Sequence, residues 1–183
     1  MIRQHPLTEQ LLTTLVQTAE KTGPREHAMV ILMSRHFFRV SELTGFKVAD
    51  VNLRDNTIRI NRLKGSISTV EAMLPGDREA IVAWLAVKPK SEFMFPGQEG
   101  QRMHRGQMYR IFRTLSEESG MPEVSRAPHA MRHTLGQRMA ERGAPAKLIQ
   151  QSAGHKNLNS TSQYFEFRQS FVDGEKAKLL GLA

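Results

Sequence analysis

The amino-acid sequence predicts a mainly helical α+β fold with a small antiparallel β-sheet, formed by a single domain over residues 1–183. Apolar residues recur at helical spacing through most of the chain, whereas they alternate with polar residues between Asp50 and Leu74. Apolar residues make up 39% and charged residues 24% of the chain, a balance typical of a globular protein with a buried core. Because no repeat or low-complexity stretch divides the sequence, we expect one domain.

The first part of the chain predicts three helical segments. Leu7 to Glu20 carries an apolar stripe at helical spacing, and Thr8 is placed to cap its first turn. Gly23-Pro24 ends this helix, and a second, more apolar helix is predicted from Arg25 to Phe38. Val40 to Phe46 then predicts one or two further helical turns.

Between Asp50 and Leu74 the sequence predicts two or three short antiparallel strands. Apolar and polar residues alternate on both sides of Asp55-Asn56, which is a turn signal. Lys64-Gly65 marks a second turn, and Ile67 to Val70 continues as a third strand. Pro75-Gly76 ends the predicted sheet.

The rest of the chain is predicted to be mostly helical, because apolar residues recur at helical spacing between glycines that end helices. The predicted helices span Asp77–Val87, Arg105–Glu118, Pro128–Arg142, Ala146–Ala153, Ser160–Phe167 and Phe171–Leu180. The last of them belongs to a C-terminal tail, residues 168–183. The sequence leaves two interpretations of this tail open, docking on a partner protomer or packing on its own domain.

The composition indicates a soluble, cytoplasmic protein with a polyanionic partner. Twenty-six Lys and Arg against 18 Asp and Glu give a formal charge of +8, an excess that favours nucleic acid. The longest purely apolar run is far shorter than the ~20 residues that span a bilayer, and the amino terminus lacks a secretory signal. The absence of cysteine excludes disulfides and thiolate metal sites. Since no phosphate-binding loop, dinucleotide fingerprint or HExxH motif is present, we expect no cofactor, no metal and no membrane partner.

Two polar segments in the first 132 residues are hard to explain by packing alone. Arg39 follows an apolar helix and has Glu42 at helical spacing, a pair that is also typical of an exposed ion pair. His129 and Arg132 share the first turn of a helix, where backbone amide donors gather. This second arrangement suits a phosphate clamp, although a solvated basic turn would have the same sequence.

A third polar segment lies near the C-terminal end of the predicted domain. His155 follows Gly154, which ends a helix, so His155 is either a helix cap or a functional residue. Tyr164 is one of two tyrosines in the chain, and a half-buried core position is its ordinary alternative. His133, next to Arg132, is expected to point elsewhere and to be structural.

The order of these residues resembles the layout of the tyrosine recombinases of the lambda-integrase family. The resemblance covers the chain after about residue 6 and includes the segments RVSELTGFKVADVNL and PHAMRHTLGQRMAERGAPAKLIQQSAGHKN. INRLKGSISTV is similar to the short bacterial invertases that switch fimbrial expression and lack the N-terminal core-binding domain. The residues that carry the resemblance are, in order, Arg39, Lys64, His129, Arg132, His155 and Tyr164.

The resemblance implies a site-specific recombinase that cuts and rejoins DNA through a 3′-phosphotyrosyl intermediate, without metal or ATP. It implies that Tyr164 is the nucleophile, Lys64 the general acid and Glu42 a supporting acidic residue. The remaining catalytic positions, which bind the phosphate or assist proton transfer, fall on Arg39, Arg132, His129 and His155. One departure is Phe37, at a position where the family commonly has a small residue such as glycine.

The resemblance also implies the partners of the protein. These are double-stranded DNA, a homotetramer that acts on two DNA sites, and accessory DNA-bending or core-binding proteins. Inversion, integration, excision and dimer resolution all stay open, because the orientation of the DNA sites decides among them. Two alternative functions remain: relaxation of DNA by a type IB topoisomerase-like reaction, and a non-catalytic repressor, since Ala146 to Gly154 is similar to part of a helix-turn-helix.

Overall fold

The computed structural model describes residues 7–63, 66–166 and 169–182, with side chains from 171 onward in the last segment. The predicted fold class is confirmed, since the described residues are mostly helical and their strands form one antiparallel sheet. The predicted turn at Lys64-Gly65 lies outside the described residues. In the part of the chain that the structure describes, no helix is long and apolar enough to cross a membrane.

The elements follow the predicted order closely. The helices are α1 (Glu9–Thr22), α2 (Pro24–Arg35), α3 (Val40–Leu43), α4 (Asp77–Val87), α5 (Arg105–Glu118), α6 (Pro128–Glu141), α7 (Ala146–Ser152), α8 (Asn159–Ser162) and α9 (Gln169–Leu179). The strands β1 (Val51–Asn52), β2 (Thr57–Ile60) and β3 (Thr69–Ala72) form an antiparallel sheet in the order β1-β2-β3. The helix predicted from Ser160 is shorter than expected, because a 3-10 turn over Gln163–Phe165 follows α8.

Local sequence signals explain the boundaries of the first helices. The Thr8 hydroxyl accepts a hydrogen bond of 3.2 Å from the Leu11 backbone N–H, which confirms the predicted cap of α1. The second helix ends at Arg35 instead of Phe38, because the backbone of His36 is extended (φ −124°, ψ 135°). The predicted end of α2 was therefore wrong by one turn.

The sheet register places β2 at the centre. Ile58 pairs with Val51 of β1 and with Glu71 of β3. The turn before β2 uses Asn56 in a left-handed conformation (φ 54°), which asparagine tolerates better than most residues. Ile58 and Ile60 are fully buried, so β2 is joined to the main core.

The apolar residues form two clusters. The larger one centres on α2 and includes residues of α1, α4, α5 and the sheet. The smaller one consists of Phe37, Ala140, Ile149, Ala153 and Tyr164, and the partly buried residues packed against it are Leu135, Met139, Ala144 and Phe165. Burial of apolar surface in this second cluster therefore fixes Tyr164 against α6 and α7.

His36, just after α2, is buried between two carboxylates. Its Nδ1 lies 2.8 Å from Glu71 Oε2, and its Nε2 lies 2.8 Å from Asp77 Oδ2. A neutral imidazole can donate only one of these bonds, so the arrangement requires an imidazolium. Burial lowers the pKa of His36, but the hydrogen bonds and charges of Asp77 and Glu71 outweigh it and raise the pKa above its ordinary value. Arg35 and Arg62 are the cations beside these carboxylates.

This cluster predicts a loss of stability at alkaline pH. Because the pKa of His36 is raised on folding, its contribution is full below about pH 6.5 and is lost as the pH rises through the folded pKa. We expect the free energy of unfolding, measured by urea titration, to decline as the pH rises above about 6.5, by at most about 1.4 kcal/mol per pH unit. His36→Gln should flatten this decline, and an unchanged slope in that variant would contradict the assignment.

Candidate active site

An open cavity of about 560 Å³ lies between the start of α3, the first turns of α6, and the segment from His155 to Tyr164. It brings together the predicted catalytic residues that the structure describes, namely Arg39, His129, Arg132, His155 and Tyr164. Glu42 supports its rim from behind, and Lys64 lies outside the described residues. Within the described ranges, no three His, Asp or Glu side chains form a group that could hold a metal ion.

Arg39 is held at the rim of the cavity by Glu42. The Glu42 carboxylate accepts a hydrogen bond of 2.8 Å from the Arg39 backbone N–H and another of 2.7 Å from Arg39 Nη1. Burial raises the pKa of Glu42, but the Arg39 amide and the charges of Arg62 and Arg39 outweigh it and lower the pKa. Glu42 is therefore ionised and buried, while 29% of the Arg39 side chain is exposed towards solvent.

Arg132 forms the floor of the cavity. Its Nη1 donates to the Phe37 backbone carbonyl, and its Nη2 donates to the Ala153 carbonyl at 2.9 Å. The guanidinium also lies 5.3 Å from the centre of the Phe37 ring, a cation–π contact. Burial lowers the pKa of Arg132 to about 10, so the group stays positive at neutral pH. The aromatic residue that departs from the family pattern thus supports this arginine through its ring and its carbonyl.

His155 lines the cavity just after the end of α7. Gly154, the residue before it, has a left-handed backbone conformation (φ 64°) that turns the chain there. Its Nε2 lies 2.9 Å from Arg132 Nη2, and since guanidinium only donates, Nε2 is the acceptor. Nδ1 therefore carries the proton and donates to Thr161 Oγ1 at 2.9 Å. Burial and the charges of Arg132 and Arg39 lower the pKa of His155 to about 4. His155 is neutral here, and donating a hydrogen bond to a phosphate from Nε2 requires the other tautomer.

Tyr164 is buried, with only 2% of its surface exposed, and three aromatic rings surround it. The ring of His155 stacks on it at 6.0 Å between centroids, Phe37 lies at 5.9 Å, and His133 meets it edge-on at 5.7 Å. Burial raises the pKa of Tyr164, and the charge and hydrogen bond of Arg132 only partly oppose it. Tyr164 therefore carries its proton at neutral pH.

The two histidines of α6 face the same cavity. His129 lies in the first turn of the helix, edge-on to Tyr109, with ring centroids 6.5 Å apart. Burial and the charges of Arg132 and Arg105 lower the pKa of His129, so it is neutral and able to accept a proton.

The prediction that His133 points elsewhere is wrong. It lines the cavity beside Tyr164, because it follows His129 by four residues and so shares its face of α6. Burial lowers the pKa of His133, and its buried Nδ1 has no hydrogen-bond partner among the described residues. The spacing of the two histidines was the sequence signal that could have revealed this position.

Gly136 is a further site residue that the sequence analysis missed. A Cβ atom built on it would lie 2.5 to 2.7 Å from ring atoms of Tyr164, inside any real contact distance. Glycine thus lets the tyrosine ring lie directly against the backbone of α6. A glycine within a strongly predicted helix was the available signal, since such a residue weakens a helix by about 1 kcal/mol relative to alanine.

The close contact predicts that Gly136→Ala displaces Tyr164. Alanine favours the helix, but its methyl group has no room unless the ring moves away from α6. We expect the variant to fold, to lose about 1–3 kcal/mol of unfolding free energy through overpacking, and to show an altered tyrosine near-ultraviolet circular dichroism. Gly174→Ala, on an exposed helix with open space at its Cβ, is the matched control. A stabilised Gly136→Ala variant with an unchanged tyrosine signal would contradict the packing described.

Comparison with known protein sequences identifies the family of the chain. The chain matches the model of the phage integrase family over residues 5–170. It is 36% identical over 149 residues to the type 1 fimbriae regulatory protein FimE of Escherichia coli (strain K12), covering 78% of this chain and 75% of FimE. It is 31% identical over 163 residues to the tyrosine recombinase XerC of Histophilus somni, covering 85% of this chain and 53% of XerC.

Solved structures share the fold. A crystal structure of XerA recombinase superposes with a TM-score of 0.82 at 22% identity, covering 95% of this chain and 62% of the XerA chain. XerH site-specific recombinase bound to palindromic difH substrate gives a TM-score of 0.80 at 19% identity, covering 95% of this chain and 53% of the XerH chain. At such identities the similarity shows the fold alone.

Proposed function

Because the chain belongs to the phage integrase family, we propose that it is a site-specific DNA recombinase, which cuts and rejoins double-stranded DNA through a 3′-phosphotyrosyl intermediate. The observation that carries this proposal is the grouping of two arginines and three histidines around one buried tyrosine in an open cavity. These side chains come from separate segments between Arg39 and Tyr164, so local structure alone does not bring them together.

In the proposed reaction, the Tyr164 hydroxyl oxygen attacks the phosphorus of a DNA phosphodiester, and the bond from phosphorus to the 5′ oxygen breaks. A 3′-phosphotyrosyl link forms, and the departing 5′ oxygen takes a proton from a general acid, for which Lys64 is the candidate. Because the link keeps the energy of the broken bond, a 5′ hydroxyl can attack it later and reseal a strand without ATP.

The arginines supply positive charge where the reaction builds negative charge. Arg39, exposed at the rim, is free to meet a non-bridging phosphate oxygen, and Glu42 fixes its direction. Arg132 supplies a buried charge, and its low-polarity surroundings strengthen the attraction to the phosphate. A negative phosphate near His155 would also favour its protonated form, which has a donor on Nε2.

The nucleophile must lose its proton during the attack, because the pKa of Tyr164 is raised by burial. His129 is the acceptor that the family resemblance favours, and its lowered pKa keeps it neutral and basic. His133, which is also neutral, has its ring next to Tyr164. Either histidine would therefore be available to take the proton.

We further propose a homotetramer on two DNA sites, since recombination exchanges four strands. The tail supports contact between protomers, because Leu179, Leu180 and Leu182 are 87%, 60% and 77% exposed. Such exposed apolar side chains at the end of α9 are suited to docking on a neighbouring protomer. We propose that the protein acts in the cytoplasm, bound to DNA of the nucleoid. Accessory DNA-bending or core-binding proteins are proposed as additional partners.

Covalent-adduct capture tests the proposed function. The protein is incubated with genomic DNA of its source cell, denatured, and the DNA that stays attached is sequenced. Adducts at a few discrete loci are the expected result. Adducts scattered over the genome would favour a topoisomerase-like reaction, and tight DNA binding without adducts would favour a repressor. The relatives named as type 1 fimbriae regulatory proteins make invertible segments near fimbrial genes the first loci to inspect.

A further inference from the structure

We propose that Arg62 is a positioning residue of the active site, which fixes Arg39, Arg132 and the approach to His155 without touching DNA; this inference rests on the proposed function. In the sequence, Arg62 lies two residues before Lys64 and two residues after the last residue of β2. Its side chain is fully buried, so it cannot contact a DNA phosphate directly. The role follows from the groups that it joins.

The first connection runs to the segment that carries Arg39. Arg62 Nη1 donates to the Phe37 carbonyl, the same oxygen that receives a hydrogen bond from Arg132. It also lies 3.0 Å from Glu42 Oε2, while Glu42 Oε1 binds Arg39. One carboxylate is therefore held between the buried and the exposed arginine, and one carbonyl between the two buried arginines.

The second connection runs to the end of α7. Arg62 Nη2 donates to the Ser152 carbonyl at 2.8 Å, next to Ala153, whose carbonyl binds Arg132. A Cβ atom on Gly154 would lie 3.0 Å from Arg62 Nε, so the backbone before His155 is in close contact with this side chain. Arg62 thus connects the segment that follows β2 to the segment that carries His155.

The remaining contacts anchor Arg62 on its outer side. Nη2 lies 3.4 Å from Glu71 Oε1, and Glu71 also binds His36. The alternating charges of Arg39, Glu42, Arg62, Glu71 and His36 form one continuous row. Burying an arginine is costly, and the cost is larger here because Arg62 Nε has no hydrogen-bond partner among the described residues. A purely structural position would be filled more favourably by an apolar side chain, whereas this row sets the direction of catalytic groups.

The test compares Arg62→Met and Arg62→Lys with the wild-type chain on a nicked synthetic duplex of a captured locus. Cleavage is measured in a single turnover at saturating protein, once with a normal phosphodiester and once with an uncharged methylphosphonate at the scissile position. We expect Arg62→Met to cleave the phosphodiester about 100-fold more slowly, with unchanged DNA affinity. On the methylphosphonate, the rate of Arg62→Met should be lower than the wild-type rate by about 10-fold or less. This substrate develops less negative charge, so its cleavage depends less on the position of the arginines. Arg62→Lys should recover part of the rate, since it keeps the charge but not the fork of donors.

Arg113→Met is the control, because Arg113 is a surface arginine, 67% exposed, and its ion pair is with the exposed Glu117 on the same helix. An equal loss on both substrates, in step with a loss of folded protein, would overturn the proposal and leave Arg62 structural. Unchanged cleavage by Arg62→Met would overturn it as well. If Arg62→Met does not fold, Arg62→Lys alone decides between the same outcomes through its ratio on the two substrates. A wild-type chain that forms no adduct on either duplex would instead mean that the proposed function itself has failed.

Discussion

Replacing Tyr164 with phenylalanine is expected to abolish the covalent protein–DNA adduct and to leave folding and DNA binding intact. The hydroxyl is the atom that would form the link, whereas the ring supplies the contacts with Phe37, His133 and His155. Phenylalanine keeps that ring, so the small core around it stays filled. Loss of the nucleophile should lower the rate of adduct formation by at least about 10⁴-fold.

Tyr109→Phe is the matched control for this prediction. Tyr109 is the other tyrosine of the chain and lies edge-on to His129, near the same cavity. We expect it to keep adduct formation within a few-fold of the wild-type chain, with DNA affinity measured by gel shift. Adducts that persist in Tyr164→Phe and disappear in Tyr109→Phe would show that the nucleophile has been misassigned.

The second large effect is expected for Arg132→Met. This guanidinium supplies the buried positive charge of the site, and removing one such group commonly costs about 10²–10³-fold in rate. The Ala153 carbonyl also loses the hydrogen bond from Arg132, while the Phe37 carbonyl keeps its bond from Arg62, and we expect the free energy of unfolding to fall by about 1–3 kcal/mol. Single-turnover cleavage and urea unfolding measure the two effects separately.

His155 provides an independent readout of Arg132→Met. Burial and the neighbouring arginines hold the pKa of His155 at about 4, and Arg132 is the nearest of these charges. Removing that charge should raise the pKa towards its ordinary value, as followed by the chemical shift of the His155 ring protons. A pKa that stays near 4 in Arg132→Met would contradict the electrostatics described for this site.

Local sequence patterns predicted most of the fold. Helical spacing gave α4 and α5 with their observed bounds, and the turn signal at Asn56 gave the hairpin before β2. The end of α2 was missed because a distant ion pair decides it. His36 leaves the helix to lie between Glu71 and Asp77, which are more than 30 residues away in the chain.

The difference between local patterns and long-range contacts also explains which site residues could be predicted from the sequence. The order and spacing of the family motifs indicated positions such as Arg39 and Tyr164. Arg62 and Gly136 were not indicated, because their roles depend on contacts across the fold. Arg62 looks like any polar residue at the end of a strand, and only its burial beside Glu42 reveals that its charge is used internally.

Locating the covalent link on the protein tests the central claim most directly. The captured adduct is digested with nuclease and protease, and the peptide that carries a nucleotide is identified by mass spectrometry. We predict a nucleotide attached through its 3′ phosphate to the tyrosine of the peptide that contains Tyr164. A nucleotide on Tyr109 or on any serine, or one attached through a 5′ phosphate, would contradict it.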